Sequence, residues 1–460
     1  MPATIKEISR ARFNALCFSR APLAPFFLEE LAWYADADEQ KIAFVGLERF
    51  DSEYAFIILG RDEIGRFRWI EGGDSFPTKE AAQHGLFAKM NSLNGEMFPQ
   101  GDVTTKKNEI YKLEVTAHQL HPNYEKLVNL PGYTPAKEII KEAVYAYIDV
   151  DGNYIQQFQS TGFNARLWEL YLSIVFYEMN YKICRDYNAP DYMLEYNTNE
   201  YMFVEAVTVN PTQNPKDPQP APPKSALEVK ELTAGFLPIK YGSALYTKLN
   251  HKYWELPHVV GKPLIFAIAD FHEERSMMYS RTALLEYLYG MRADWHYDDS
   301  GTLVITPVPI EFHEYGAKKI PSGFFNLPGA ENISAVFFNN IATLSKFNRM
   351  GKLAEFGIDD IKMVVRGTCH NHDPNASQPH TFAFDLDTGE WDEMWVDGFT
   401  VYHNPNALHP LAFDIFPDEV AHFYLKDGMI TSQLPDFYPY VTETFIVASK
   451  LDGQSENNAL

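Results

Sequence analysis

Residues Pro263–Phe271 have the sequence PLIFAIADF, in which Asp270 is the only charged residue. A short, continuous apolar run lacks the alternation of a strand that has one face in water. It is typical of a strand that is buried on both faces. We therefore expect this segment to be a fully covered strand, and the neighbouring elements are predicted outward from it.

Upstream of this strand, a helix is predicted from about Ser243 to Trp254. Strands are predicted in YMFVEAVTV (201–209), in DYMLEY (191–196) and near KICRDY. The segment FNARLWELYLSIVFYEMN (163–180) is apolar on nearly every side, which predicts a buried helix. The predicted order is helix, three strands, helix, strand. Residues 210–224 are rich in proline and predict an exposed loop.

The chain has 460 residues, too many for one ordinary core, so two or three domains are expected. Residues 1–135 predict a small α+β domain, with strands in KIAFVGLERF and EYAFIILG and a helix from Thr78 to Met90. Residues 136–295 contain the order given above. Residues 296–460, with many turns and aromatic residues, predict a mostly β C-terminal domain. The expected fold class is a multidomain α+β or α/β protein.

The net charge is −23. A chain this acidic does not bind nucleic acid or anionic membranes through its overall field, and any nucleic acid must be held by a local basic patch, a partner or a metal. The three cysteines are far apart and predict no disulfide framework. The N-terminal MPATIKEISRARF has no apolar signal core, and no run approaches about 18 apolar residues. We therefore expect a cytoplasmic protein without a membrane span.

Three acidic residues lie in apolar surroundings. Glu169 is in the buried helix, on one face with Ala165 and Leu172. A carboxylate there needs a partner, and two interpretations stay open: a metal ion, or a salt bridge with a basic residue such as Arg166.

Asp191 opens the strand DYMLEY, and Glu205 lies inside the apolar strand YMFVEAVTV. If the two strands are adjacent, both carboxylates lie side by side at one edge of a sheet. Convergent carboxylates raise each other's pKa, and a divalent cation removes that penalty. Magnesium suits such a set of oxygen ligands.

These residues resemble the PD-(D/E)xK nuclease superfamily, whose core has the order αβββαβ. The resemblance rests on Pro190-Asp191, the strand with Glu205 and the preceding helix with Glu169. It implies that these three acids bind Mg²⁺ (or Mn²⁺) and that the protein is a metal-dependent nuclease hydrolysing phosphodiester bonds of DNA or RNA. In the superfamily, a lysine orients the attacking water.

The sequence departs from this pattern at the lysine, because the position two residues after Glu205 is Val207. In some relatives the lysine lies on the following helix, where Lys248 and Lys252 are four residues apart and predicted to share a face. Either would then supply the charge. Otherwise the lysine is absent, and the core is a catalytically inactive scaffold or interaction module. Thr208 and Asn210 are weaker candidates for a helping role.

Binding of DNA or RNA to so acidic a chain requires a basic groove beside the sheet. Six basic residues near the predicted core are available for it: Arg166, Lys182, Arg185, Lys240, Lys248 and Lys252. A homo-oligomer or a protein partner is left open.

A second group of metal-binding residue types lies near the C-terminus. Its members are Cys369, His370, His372, Asp373, His380, His403, His409 and His422. Histidine and cysteine at short spacing can bind zinc, although neither HExxH nor a paired CxxC is present. This group makes a zinc-dependent hydrolase the third hypothesis.

Overall fold

The computed structural model of the chain describes residues 5–20, 24–103, 107–149, 152–212 and 219–448. Its N-terminal part contains a five-stranded antiparallel sheet in which each strand pairs with the next along the chain. The elements are β1 (Ile5–Ile8), α1 (Arg10–Leu16), α2 (Ala24–Phe27), β2 (Leu28–Asp36), β3 (Lys41–Glu48), β4 (Tyr54–Arg61), β5 (Phe67–Phe76) and α3 (Lys79–Ser92). The predicted strands β3 and β4 are confirmed, as is α3, which begins after its cap, Thr78.

The predicted order of helix, three strands, helix and strand is present in the middle of the chain. The elements there are α4 (Pro122–Asn129), α5 (Thr134–Ala146), α6 (Tyr154–Gln159), α7 (Phe163–Glu178), β6 (Lys182–Cys184), β7 (Tyr192–Asn197), β8 (Glu200–Val209), α8 (Ala226–Glu231), α9 (Leu237–Leu249) and β9 (Leu264–Asp270). All seven residues of β9 are buried, as the apolar run predicts. The described parts of the proline-rich segment, 210–212 and 219–224, contain no helix or strand, and the rest of it lies outside the described residues.

The C-terminal part adds strands to the sheet that contains β6, β7, β8 and β9. Its elements are α10 (Arg281–Tyr289), β10 (Met291–Tyr297), β11 (Leu303–Pro309), β12 (Phe312–Tyr315), β13 (Lys318–Pro321), β14 (Ala335–Phe338), α11 (Leu344–Leu353), β15 (Ile361–Cys369), β16 (His380–Asp385), β17 (Thr400–His403), β18 (Ala421–Lys426), β19 (Met429–Gln433) and β20 (Pro439–Ala448). The central sheet has eight strands in the order β19-β18-β17-β14-β9-β8-β7-β6.

The central sheet extends past residue 296, the expected start of the C-terminal domain. Strand β14, from the region predicted to be a separate C-terminal domain, pairs in parallel with β9. Strands β17, β18 and β19 continue the same sheet outward. The physical reason is that β9 is apolar on both faces and needs a neighbouring strand on each edge, which the residues up to 295 provide on only one side.

Helices cover both faces of the sheet. On one face, α7 packs against alternate residues of β9, and the indole N–H of Trp168 donates a hydrogen bond to the Ala267 carbonyl at 2.9 Å. On the other face, α9 and α10 pack against the intervening residues, including Phe266 and Ile268. The parallel pair β8 and β9 requires a crossover connection, and α9 lies within it.

The sheet narrows at the point where β7 begins. Tyr192 pairs with Val204, whereas β8 continues to Val209 with β9 as its partner. The pairing between β7 and β8 therefore ends just beside Glu205, where the chain that precedes β7 diverges from β8.

One helix ends earlier than predicted. Helix α9 ends at Leu249, and Lys252 follows in a turn with a left-handed backbone (φ 52°). The prediction that Lys252 shares a helix face with Lys248 is therefore wrong. In the described part of the chain, no helix is long and apolar enough to cross a membrane.

We expect that the fragment 136–295, the predicted central domain, does not fold alone. Without β14, the edge of β9 that pairs with it is exposed to water. Circular dichroism and denaturant titration of the fragment, beside the full chain, measure this. A cooperative unfolding transition of the fragment would contradict the single central sheet.

Candidate active site

Asp191 and Glu205 lie side by side, as the sequence predicts. The backbone N–H of Asp191 donates to Glu205 Oε2 at 3.3 Å. The backbone N–H of Ala206 donates to Asp191 Oδ2 at 2.8 Å. Each carboxylate therefore accepts a hydrogen bond from the backbone of the segment that carries the other one. The distance between the two carboxylates follows from the register of β7 and β8.

Lys248 and Tyr253 hold the Glu205 carboxylate from the side of α9. Lys248 Nζ is 2.5 Å from Glu205 Oε1, and the Tyr253 hydroxyl donates to the same oxygen at 2.7 Å. His251 Nδ1 lies 3.1 Å from the Tyr253 hydroxyl. The Glu205 side chain is only 5% exposed, whereas that of Lys248 is 28% exposed. The ion pair therefore joins a buried carboxylate to an ammonium group that is partly in water.

Glu169 lies near this pair but has its own partners. Arg166 Nη1 is 2.7 Å from Glu169 Oε2, and the Tyr147 hydroxyl donates to the same oxygen at 3.3 Å. The salt bridge with Arg166, one of the two interpretations left open by the sequence, is therefore present in the structure. Burial raises the pKa of Glu169, while Arg166 and the Tyr147 hydrogen bond act against the shift.

The Glu169 carboxylate interacts electrostatically with Asp191. Burial, together with the neighbouring Glu205 and Glu169 carboxylates, raises the pKa of Asp191 to about 7, against the lowering effect of the Ala206 hydrogen bond and of Lys248. The three acids therefore form one electrostatic group. Three basic residues accompany it: Arg166 and Lys248 in ion pairs, and Arg185, which donates to the Asp191 carbonyl at 2.8 Å.

No family model, curated protein or solved structure matches this chain. The interpretation of the site therefore rests on its geometry and chemistry.

The six basic residues proposed for a groove fall into two sets. Arg166, Arg185 and Lys248 surround the carboxylates. The other three are engaged elsewhere: Lys182 pairs with Glu195, Lys240 donates to the Asn210 carbonyl, and Lys252 pairs with Glu255.

Thr208 and Asn210 hydrogen-bond to each other at 3.2 Å. Thr208 lies three residues after Glu205 on the same strand, so its side chain points to the opposite face of the sheet. Neither residue is placed to assist the carboxylates.

The oxygen ligands at this site are those that a divalent cation prefers. Among the described residues, no group of three or more His, Cys, Asp or Glu side chains is arranged to hold a metal ion. Mg²⁺, however, is commonly bound through one or two carboxylates and keeps several waters. Asp191 and Glu205 fit that role, because a cation between them would offset the repulsion that raises the pKa of Asp191. Glu169 would join them only by leaving Arg166.

The C-terminal histidines do not converge on one point. His403 Nε2 lies 2.9 Å from His422 Nδ1, and burial lowers the pKa of His403 to about 3 and that of His422 to about 4, so the buried pair is neutral. His370 packs against His372, and its Nδ1 lies 2.7 Å from the Tyr440 hydroxyl. These four histidines thus form two pairs, and within the described part of the chain no group of three or more His, Cys, Asp or Glu side chains is arranged to hold a metal ion.

Sequence reasoning missed Tyr147 and Tyr253, which donate hydrogen bonds to Glu169 and Glu205. Tyr253 follows a turn, and Tyr147 follows the end of α5, so neither belongs to a periodic pattern that includes the acids. The one available signal was the proximity of Tyr253 to Lys248 along the chain.

Asp191→Asn should stabilise the metal-free protein above neutral pH. The folded-state pKa of Asp191 is raised from 3.8 to about 7, so the folded chain holds a proton that the unfolded chain releases between those values, and stability falls as pH rises through that window. Asparagine can still accept the Ala206 hydrogen bond but has no charge to bury. We expect a gain of about 1 kcal/mol or more above the raised pKa, since one pKa unit corresponds to about 1.4 kcal/mol.

Denaturant titration in a chelator, repeated over the pH range, measures this gain. It should shrink as pH falls and vanish below about 3.8, the ordinary pKa of aspartate. The matched control is Asp186→Asn, at an exposed residue near the same strand. A gain that is independent of pH, or an equal gain in the control, would show that the charge of Asp191 carries no penalty.

Proposed function

We propose that this chain is a metal-dependent nuclease that hydrolyses phosphodiester bonds of DNA or RNA, with a core of the PD-(D/E)xK type. The order α7, β6, β7, β8, α9, β9 supports the proposal, because that superfamily has the order αβββαβ. The observation that carries the most weight is the 2.5 Å contact between Lys248 and Glu205. It places a lysine beside the strand acid, although Val207 occupies the position where the superfamily's lysine lies.

The position of Lys248 has a simple physical cause. Glu205 and Val207 are two residues apart on β8 and therefore face the same side of the sheet. Val207 is buried in the apolar cluster between β8 and α9, where a lysine would have to bury its charge. Lys248 comes to the same side from the last turn of α9 and keeps its ammonium group partly in water.

In the proposed site, Asp191 and Glu205 would hold Mg²⁺ or Mn²⁺. Such a cation, when bound, lowers the pKa of a water ligand and stabilises negative charge on a phosphate. Lys248 supplies a positive charge beside Glu205 and orients a water or a phosphate oxygen. The Ala206 N–H and the Tyr253 hydroxyl keep the carboxylates in position. Arg166 and Arg185 place further positive charge near the acids, where an otherwise acidic chain must accept a phosphate.

A second candidate is a scaffold without catalytic activity. It is favoured by the pairing of Glu205 with Lys248 and of Glu169 with Arg166, since these contacts satisfy the charges without a cation. The same experiment separates the two functions.

Lys248→Met should reduce metal-dependent cleavage by about 100-fold or more, the loss typical of removing one positioned catalytic group. Lys252→Met is the matched control, because Lys252 pairs with Glu255. Glu205→Gln should abolish cleavage. Purified protein is incubated with single- and double-stranded DNA and with RNA, in Mg²⁺, in Mn²⁺ and in a chelator, and the products are separated on gels.

Thermal unfolding of each variant shows whether the fold is retained. Equal losses in Lys248→Met and Lys252→Met would contradict the assignment of the lysine. If the wild-type protein cleaves none of these substrates in either metal, the scaffold function is favoured instead.

A further inference from the structure

A pocket of about 230 Å³ opens beside the candidate active site. It lies between the segment after α1, the end of α5, α7 and β6, and four aromatic side chains contribute to its lining: Phe18, Tyr147, Tyr177 and Tyr181. An apolar cavity of about 150 Å³ is enough for a benzene ring. The pocket therefore has room for a planar ring system between aromatic and aliphatic side chains.

The charge of this pocket is opposite to that of the whole chain. Arg20, Lys182 and Arg185 line it, whereas no Asp or Glu is among its described lining residues. Arg20 pairs with Glu30 and Lys182 with Glu195. Arg185 donates hydrogen bonds to the Asp191 carbonyl and the Ser173 hydroxyl. In a chain with a net charge of −23, such a lining favours an anionic ligand with an aromatic part.

Two residues belong to both the pocket and the candidate active site. Tyr147 lines the pocket and donates its hydroxyl hydrogen to Glu169. Arg185 lines the pocket, donates to Asp191, and packs over the rings of Tyr147 and Tyr192 at 5.2 and 4.7 Å. The pocket and the carboxylates are thus connected through two shared side chains, Tyr147 and Arg185.

We propose that this pocket binds one unstacked nucleotide of the substrate strand, with its base among the aromatic residues and its phosphate toward Arg185 and the carboxylates. The proposal rests on the proposed nuclease function. A base bound in the pocket would bring the phosphate of the same nucleotide to that active site. Proteins commonly bind exposed bases by stacking them on aromatic and Arg side chains. A base that is paired inside a duplex cannot enter, so the substrate is single-stranded or has a base turned out of the helix.

Binding is measured in a chelator, so that cleavage does not contribute. Fluorescence anisotropy compares a short single-stranded oligonucleotide, its duplex, and an abasic strand of the same length that keeps every phosphate. We expect the intact single strand to bind at least about tenfold more tightly than the other two probes, because base stacking accounts for that difference.

Ala146→Phe fills the pocket from its rim and should remove this advantage. Ala293→Phe is the matched control, at an exposed position on β10. Melting temperatures show whether both variants fold, and the abasic probe tests the wild-type protein without any substitution. Equal binding of the intact and abasic strands, unchanged binding by Ala146→Phe, or no binding of any probe would overturn the proposal.

The two proposals fail separately. Base-dependent binding without cleavage in Mg²⁺ or Mn²⁺ retains the pocket and rejects the nuclease. Cleavage with equal binding of intact and abasic strands retains the nuclease and rejects the pocket.

Discussion

Strand β9 is buried on both faces and hydrogen-bonded on both edges to parallel neighbours. An apolar strand of this kind needs helices above and below it, because water on either face would cost the free energy of apolar burial. Helix α7 covers one face, and α9 and α10 cover the other. The parallel pairing with β8 also requires a crossover, and this crossover carries Lys248 to Glu205. The geometry of the candidate active site thus depends on how β9 is enclosed.

Two buried carboxylates, Glu393 and Asp191, have pKa values shifted in opposite directions because their neighbours carry opposite charges. Glu393 has a fully buried side chain, yet Arg349 and Lys346 outweigh the effect of burial and hold its pKa below the ordinary value. Asp191 is also largely enclosed, but its nearest charges include two other carboxylates, which raise its pKa. A fold gains nothing from such repulsion. Shifted pKa values of this kind are concentrated at functional sites, which supports the proposed role of Asp191.

Much of the fold follows from local patterns. The burial of β9, the strand that carries Glu205, the helix that carries Glu169 and the start of α3 at Thr78 are each determined by residues close together in sequence. The register that places Asp191 beside Glu205 follows from two neighbouring strands joined by a short turn. Such features are predictable because their physical causes, burial and capping, act over a few residues.

The chain by itself determined which acids lie in apolar surroundings and in which order the elements follow. The tertiary structure decided the rest. It brought Lys248 to Glu205 and Lys252 to Glu255, because α9 ends at Leu249 and Lys252 follows in the next turn. It joined residues up to 433 to the central sheet, because the open edge of β9 is satisfied by β14, about seventy residues further along the chain. It also arranged four of the C-terminal histidines as two pairs. These outcomes depend on contacts between distant residues, whose free energies no local pattern contains.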